Sequence, residues 1–186
     1  MNRTPDSFYT ILSTFSTLTK GGRRGNGFVY FVPFDDEFSR SYSSHSYVIP
    51  FLDRSTHECI VTRKRTGQWF LPGGTLELGE NWRIAAVREL REEIGAEIIQ
   101  LHPFGMYVCV SESKTPAKPH LPHPIAVRVI SWADVRPMGT EFQPVLNDDI
   151  VEVRCVPVQM VDQTFSNGEN VDFGELYHFA HKLRKK

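Results

Sequence analysis

The stretch GGTLELGENWRIAAVRELREEIGAEI, residues Gly73 to Ile98, decides how this chain is read. From Trp82 to Ile94 no residue breaks a helix, and Gly95 can take the left-handed conformation that ends one. Inside that helix Glu89, Glu92 and Glu93 fall at i, i+3 and i+4, so at about 100° per residue their side chains share an arc of about 100°. On the same reckoning Ile84, Val87, Leu90 and Ile94 gather on the other side, which predicts an aliphatic packing face and an outward face of carboxylates. Like charges at this spacing cost a helix a few tenths of a kcal/mol per pair, roughly, and the neighbouring Ala85 and Ala86 bring no positive charge. A cation is expected there. Several carboxylate oxygens suit a hard divalent ion such as Mg²⁺, or Mn²⁺, which commonly bridges to phosphates. An E-x-x-E-E helix taken alone is more often a solvated charged face, here with Arg88 and Arg91 as ion-pair partners. The residues ahead of the helix overturn that reading.

Gly74, Glu80, Arg88, Glu89, Leu90, Glu92, Glu93 and Gly95 satisfy the pattern G-x5-E-x7-R-E-U-x-E-E-x-G-U, where U is a bulky aliphatic residue. The seven fixed identities would coincide by chance at about one start position in 10⁸. The segment resembles the Nudix box of the Nudix hydrolases, departing from it only at Ala96, small where the last aliphatic is expected. The basic strand IVTRKR, the QWFLPGG before the box and the later VEVRCVPV add to the likeness, which runs from about Ser46 to the C-terminus.

The resemblance implies an α+β fold, a mixed β-sheet sandwiched between helices. Residues 1–45 would form an N-terminal extension of helix plus strand packed on the main domain, and residues 46–186 the hydrolase domain, with its box at 74–96. It implies hydrolysis of a pyrophosphate linkage in a nucleoside diphosphate joined to another moiety, such as a nucleotide sugar, ADP-ribose or a modified nucleoside triphosphate. Carried over residue by residue, Glu89, Glu92, Glu93 and the Gly73 carbonyl become metal ligands for Mg²⁺ or Mn²⁺. Arg88 orients a glutamate by a charge-assisted hydrogen bond, Glu80 braces the loop through a salt bridge, and Glu89 is favoured as general base. Asp148, Asp149 and Glu152 are candidates for a further metal-contacting acid or base. Arg63 and Arg65 stand where substrate phosphates are contacted, whereas Trp69 and Phe70 are expected to pack. The alternative is a Nudix-fold sensor that binds a nucleotide without cutting it, against which the intact acids speak.

The rest of the chain bounds these readings. With 186 residues, 40% hydrophobic and 23% charged, it suits one core with an extension. Its formal net charge of -1 offers no footprint for nucleic acid, and the short basic clusters KGGRRG and KLRKK read as solvated ends. Apolar runs stop far short of the roughly 20 residues of a membrane span, and the first residues do not read as a signal peptide. A cytoplasmic protein with a nucleotide-type small-molecule substrate, no membrane association, no nucleic-acid partner and a homodimeric assembly is expected. Cys59, Cys109 and Cys155 fit reduced core thiols better than a disulfide framework. The pairs His120/His123 and His178/His181 lack the neighbours of a zinc set and are assigned to surface or packing.

An amphipathic helix is expected over Ser7–Lys20, capped by Asp6 and stopped at Gly21-Gly22. Strands are expected at 28–34, 46–52 and 58–63, with the polar run DDEFSRSYSS between the first two. The later runs EIIQL, MYVCV, IAVRVISW and IVEVRCVPV are also strand-like. Four prolines between Ser113 and Pro124 predict an irregular loop, and DFGELYHFAHKLRKK a closing helix.

Overall fold

The computed structural model describes residues 5–145, 149–166 and 171–185. In chain order the elements are α1 (Pro5–Leu12), α2 (Ser16–Thr19), β1 (Gly22–Arg23), β2 (Gly27–Pro33), α3 (Asp36–Tyr42), β3 (Ser43–Leu52), β4 (Glu58–Lys64), β5 (Trp69–Phe70) and β6 (Gly73–Thr75). They continue with α4 (Trp82–Ile94), β7 (Ala96–Ser111), β8 (Ile125–Pro137), β9 (Ile150–Pro157), a 3₁₀ turn, α5 (Val161–Phe165) and α6 (Val171–Arg184). The strands form one mixed sheet in the order β1-β2-β7-β8-β3-β4-β5, with β6 paired to β3 and β9 to β4. Only β3 and β8 run parallel among the described pairs, and both are interior strands, β3 pairing with β8, β4 and β6.

Alternation along β3 sorts its side chains between two layers. Ile49 and Phe51 enter a core shared with α1, α2 and α6, whereas Val48 joins the α4 layer with Leu90 and Ile94. On the first side Phe179 of α6 meets Phe8 at 5.1 Å and Phe15 at 5.5 Å between ring centroids. The Glu175 carboxylate accepts the Thr17 and Leu18 amides at 3.0 and 3.1 Å, capping α2, which has no side-chain cap of its own. The fully buried Tyr177 donates its hydroxyl to the Ile60 carbonyl at 2.6 Å, so α6 is pinned to β4.

Several local expectations are corrected. The opening helix starts at Pro5 and is interrupted at Ser13–Phe15, where the Ser13 and Thr14 hydroxyls bond back to the carbonyls of Thr10 and Ile11 and compete with the helical ladder. Asp6 therefore lies within the helix rather than at its cap. The polar run after Pro33 contains α3, capped by Asp35, which accepts the Phe38 amide at 2.8 Å. EIIQL and MYVCV are one strand, because register shifts near Ile98 and Pro103 absorb the proline and Gly105. The C-terminal basic cluster is not wholly solvated: Arg184 donates to Asp134 at 2.5 Å and to the Ser55 carbonyl at 2.7 Å. Arg24 of the other cluster pairs with the buried Asp172 at 3.0 Å. Among the described residues no helix is long and apolar enough to cross a membrane.

Candidate active site

Helix α4 is set at both ends by its sequence. Asn81 accepts the Arg83 and Ile84 amides at 2.9 and 3.1 Å, and Gly95 ends the helix in the left-handed region at φ 62° and ψ 39°. Its packing face is only partly the expected one: Leu90 and Ile94 are buried, as their spacing predicts, but Ile84 and Val87 are not. Trp82, Ala85, Ala86, Glu89, Leu90, Glu93 and Ile94 are buried, while Ile84 and Val87 are 54% and 52% exposed. Two small alanines and two carboxylates thus turn toward the sheet, where α4 meets β3 and β6. The only aliphatic positions on that face are Leu90 and Ile94.

One guanidinium organises the acids. Arg88 donates through Nε and Nη2 to the two oxygens of Glu80, both at 2.9 Å, and through Nη1 to Glu89 at 2.8 Å and Glu92 at 3.3 Å. Nη2 also reaches the Thr75 carbonyl at 3.3 Å. Glu80 in turn accepts the Glu77 amide at 2.8 Å, which ties down the loop ahead of the helix. The Arg88 bond holds the Glu80 carboxyl below the usual carboxylate range, and Glu80 holds the Arg88 guanidinium more firmly protonated.

Glu89 and Glu93 are in the opposite state. Burial raises both carboxyls, Glu93 to about 8; Glu92 adds to both, and Glu89 adds to Glu93. Glu93 accepts the Gly73 amide at 2.8 Å, and Gly74 passes so close to Glu89 that a methyl group in place of its hydrogen would collide with the carboxylate. Two acids one helical turn apart in a site that disfavours their charge offer carboxylate oxygens, the ligands that suit a hard divalent cation. In the present rotamers, Glu92 and one Glu89 oxygen are turned to Arg88, and among the described residues no three His, Cys, Asp or Glu side chains converge as a metal cage.

The other candidates fall in a second group. Arg63 pairs with Glu152 through Nε at 2.7 Å and Nη2 at 2.6 Å, and Arg154 joins the same carboxylate. The Arg63 bond holds the Glu152 carboxyl low. The Arg65 amide donates to the carbonyl of the exposed Asp149 at 2.7 Å. Asp148 lies outside the described residues. Phe70 packs on Phe173, with the Lys64 ammonium 4.0 Å from its ring centroid, and Trp69 lies under Arg154 at 4.9 Å. Of the histidines, His120 meets the Leu76 carbonyl at 2.9 Å and His178 meets Asp162 at 3.0 Å. Cys59 is buried, but Cys109 is half-buried and Cys155 exposed, a correction to the core reading. Cys155 faces outward because strand alternation points it away from the layer that takes Val156.

Four residues near the site, Thr75, His45, Ser44 and Arg128, were not singled out by any motif. The Thr75 hydroxyl lies 3.2 Å from His45 Nε2, and His45 Nδ1 lies 3.0 Å from the Ser44 hydroxyl. Burial, then Arg128 and Lys118, push the His45 imidazole down to about 4, so it is neutral near pH 7. Beyond it opens a cavity of about 420 Å³ between the sheet and the proline-rich loop, with Arg128 on its wall. A lone arginine in the otherwise apolar run IAVRVISW was the available signal.

A model of the family described as NUDIX domain matches residues 43–174. A protein of Bacillus subtilis (strain 168) named "Putative 8-oxo-dGTP diphosphatase" is 38% identical over 66 residues, 36% of this chain, and the chain spans only 44% of that relative's length. Among solved structures, the Bacillus subtilis pyrophosphohydrolase BsRppH is 19% identical, with 89% of this chain and 96% of that one covered and a TM-score of 0.59. A protein of Listeria monocytogenes described as a "putative" Nudix hydrolase is 17% identical over 76% of this chain and 94% of that one, TM-score 0.55. One of Nitrosomonas europaea is 17% identical over 75% and 90%, TM-score 0.53. At these identities the structural likenesses establish a shared fold. The family model spans the central strand, the carboxylate helix and the start of α6, and on that match the chain belongs to the Nudix family.

Proposed function

We propose that the chain is a divalent-metal-dependent pyrophosphohydrolase acting on a nucleoside diphosphate derivative, with Glu89, Glu92, Glu93 and the Gly73 carbonyl as ligands and Mg²⁺, or Mn²⁺, as the ion. The observation that carries this reading is the sheet-facing pair Glu89 and Glu93, whose carboxyls are raised by burial while Arg88 and Glu80 fix the loop beside them. A fold gains nothing from burying two adjacent acids unless a cation or proton joins them. A divalent ion supplies neutralisation of the diphosphate and a more acidic water for attack. The chain's own residues then act as follows. Arg88 holds Glu89 in place by a charge-assisted bond, and Glu89, with its raised affinity for a proton, takes one from the attacking water. Arg63 and Arg65 lie on the β4 side and offer charge to the departing phosphate, Arg63 by exchanging Glu152 for it. The Bacillus subtilis names support a phosphoric anhydride as the bond cut.

The test is Mg²⁺- or Mn²⁺-dependent phosphate release from nucleoside triphosphates, nucleotide sugars, ADP-ribose and dinucleoside polyphosphates, comparing the native chain with Glu92→Gln. Glu92 is the least buried of the three acids, so its amide variant should fold normally. Turnover lost in the variant supports the reading. Nucleotide binding with no turnover by the native chain would replace it with the sensor.

A further inference from the structure

The cavity under the proline-rich loop has a wall chemistry that the carboxylate site does not use. Its lining includes Arg128, His45, and the hydroxyl residues Ser44, Ser111, Ser113 and Thr115. No acid and no Phe, Tyr or Trp lines it. Arg128 is exposed and, among the described residues, has no carboxylate partner, although the chain's other arginines in this region, Arg24 and Arg63, are paired. Lys118, on the covering loop, is close enough to act on His45 together with Arg128. One guanidinium, hydroxyl donors and two imidazoles therefore share a wall on which no carboxylate balances the charge. For a nucleobase to stack on, the lining offers only the imidazoles of His45 and His123, with no Phe, Tyr or Trp; a phosphate wants the guanidinium and hydroxyls that are present.

Thr75 joins this cavity to the acids. Its carbonyl accepts Arg88 on the α4 side, and its hydroxyl meets His45 on the cavity side. The two sites are thus separated by one residue of β6, whose neighbour Gly74 touches Glu89.

We propose that the Arg128 cavity is a polyphosphate subsite that receives a phosphate beyond the linkage being cut, and that the preferred substrates carry three or more contiguous phosphates. This deepens the pyrophosphohydrolase reading and rests on it for the kinetic part alone. Arg128 presents a planar fork to two phosphate oxygens, and the loop hydroxyls close over the others. Nucleotide sugars and ADP-ribose, with two phosphates, leave the fork unused.

Two measurements test this with Arg128→Ala and Arg128→Lys. First, binding of inorganic tripolyphosphate is followed calorimetrically in chelator. The native chain should bind it, Arg128→Ala should bind about tenfold to a hundredfold more weakly, and Arg128→Lys should fall between. Absent binding, or binding that Arg128→Ala leaves unchanged, overturns the subsite even if hydrolysis is found. Binding lost in the variant upholds it even if no compound is hydrolysed, which would sink only the catalytic reading. Second, where turnover exists, Arg128→Ala should raise KM for a triphosphate or a dinucleoside tetraphosphate with little change in kcat, and leave a nucleotide sugar unaffected. A variant that alters preference among bases but not between two and three phosphates refutes the proposal in favour of base recognition. Arg128→Lys guards against misfolding as the cause, since its melting should match the native chain.

Discussion

Replacing Arg88 with alanine removes the one cation shared by three carboxylates. The change deletes the paired bonds to Glu80 at 2.9 Å, the bond to Glu89 at 2.8 Å and the longer contacts to Glu92 and the Thr75 carbonyl at 3.3 Å. The side chains of Glu80 and Glu89 are only 7% and 9% exposed, so both stay buried without a counter-charge. Breaking a buried pair from one side costs about 3–5 kcal/mol. Arg88 itself is 21% exposed, and the water that reaches it places the loss near the lower end, about 3 kcal/mol. For a chain of this size that is a fall in Tm of about 6–12 °C. Urea unfolding followed by circular dichroism at pH 7 in chelator should show a lower midpoint with an unchanged slope. The effect has a pH signature as well. Arg88 lowers the folded-state pKa of Glu80, so this stabilisation is present above the ordinary carboxylate pKa and is lost as pH falls through the lowered one. The gap between native and variant should therefore narrow in acid. A loss under about 1 kcal/mol is what a solvated surface pair gives; finding it would refute the idea that this fork holds buried charge.

Gly74→Ala should push the Glu89 carboxylate aside, lowering kcat by about tenfold to a hundredfold while the fold survives; unchanged turnover would mean Glu89 need not stay where it is. Glu93 has a folded pKa raised to about 8, so its contribution is complete below the ordinary carboxylate pKa and lost as pH rises through about 8. In chelator the native chain should melt lower at pH 9 than at pH 6, and Glu93→Gln should remove that difference; a slope that persists in the variant assigns it elsewhere. His45 and His181 are both pushed down to about 4, chiefly by burial, so their effect is present above the ordinary histidine pKa and stability drains as pH falls from about 6.5 to about 4. Thermal melts of His181→Leu across that window should show a shallower decline than the native chain, and an identical decline would count against a half-buried, neutral His181.

The carboxylate helix was legible because its signals are local: Gly95 stops it, and Arg88 follows Glu80 at the spacing that sets the fork. Which face it buries was not. Apolar spacing assigned Ile84 and Val87 inward, but the sheet accepts Ala85 and Ala86 at close range and the acids with them. That choice is made by what lies opposite, and no window of sequence contains it. Helix α3 escaped notice because five of its seven residues are polar and only Asp35 and the acidic first turn mark it. Likewise Pro103 and Gly105 read as a break, whereas pairing with β8 carries the strand through them. Arg63 and Glu152 were singled out separately; their ion pair follows from the β4–β9 register, in which they face each other.

The Glu175 cap on α2 spans 158 residues of chain. At about 5–20 residues per second, a ribosome needs roughly 8–32 s to make that stretch. Throughout that interval Phe8, Leu12, Phe15 and Leu18 have no Phe179 to cover them. The nascent chain must then be shielded by a chaperone or tolerate sticky aromatics, and its last step is a slow, non-local docking of α6 between segments already made. Substitutions in α6 should therefore reduce yield in the cell more than they reduce the equilibrium stability of whatever protein survives.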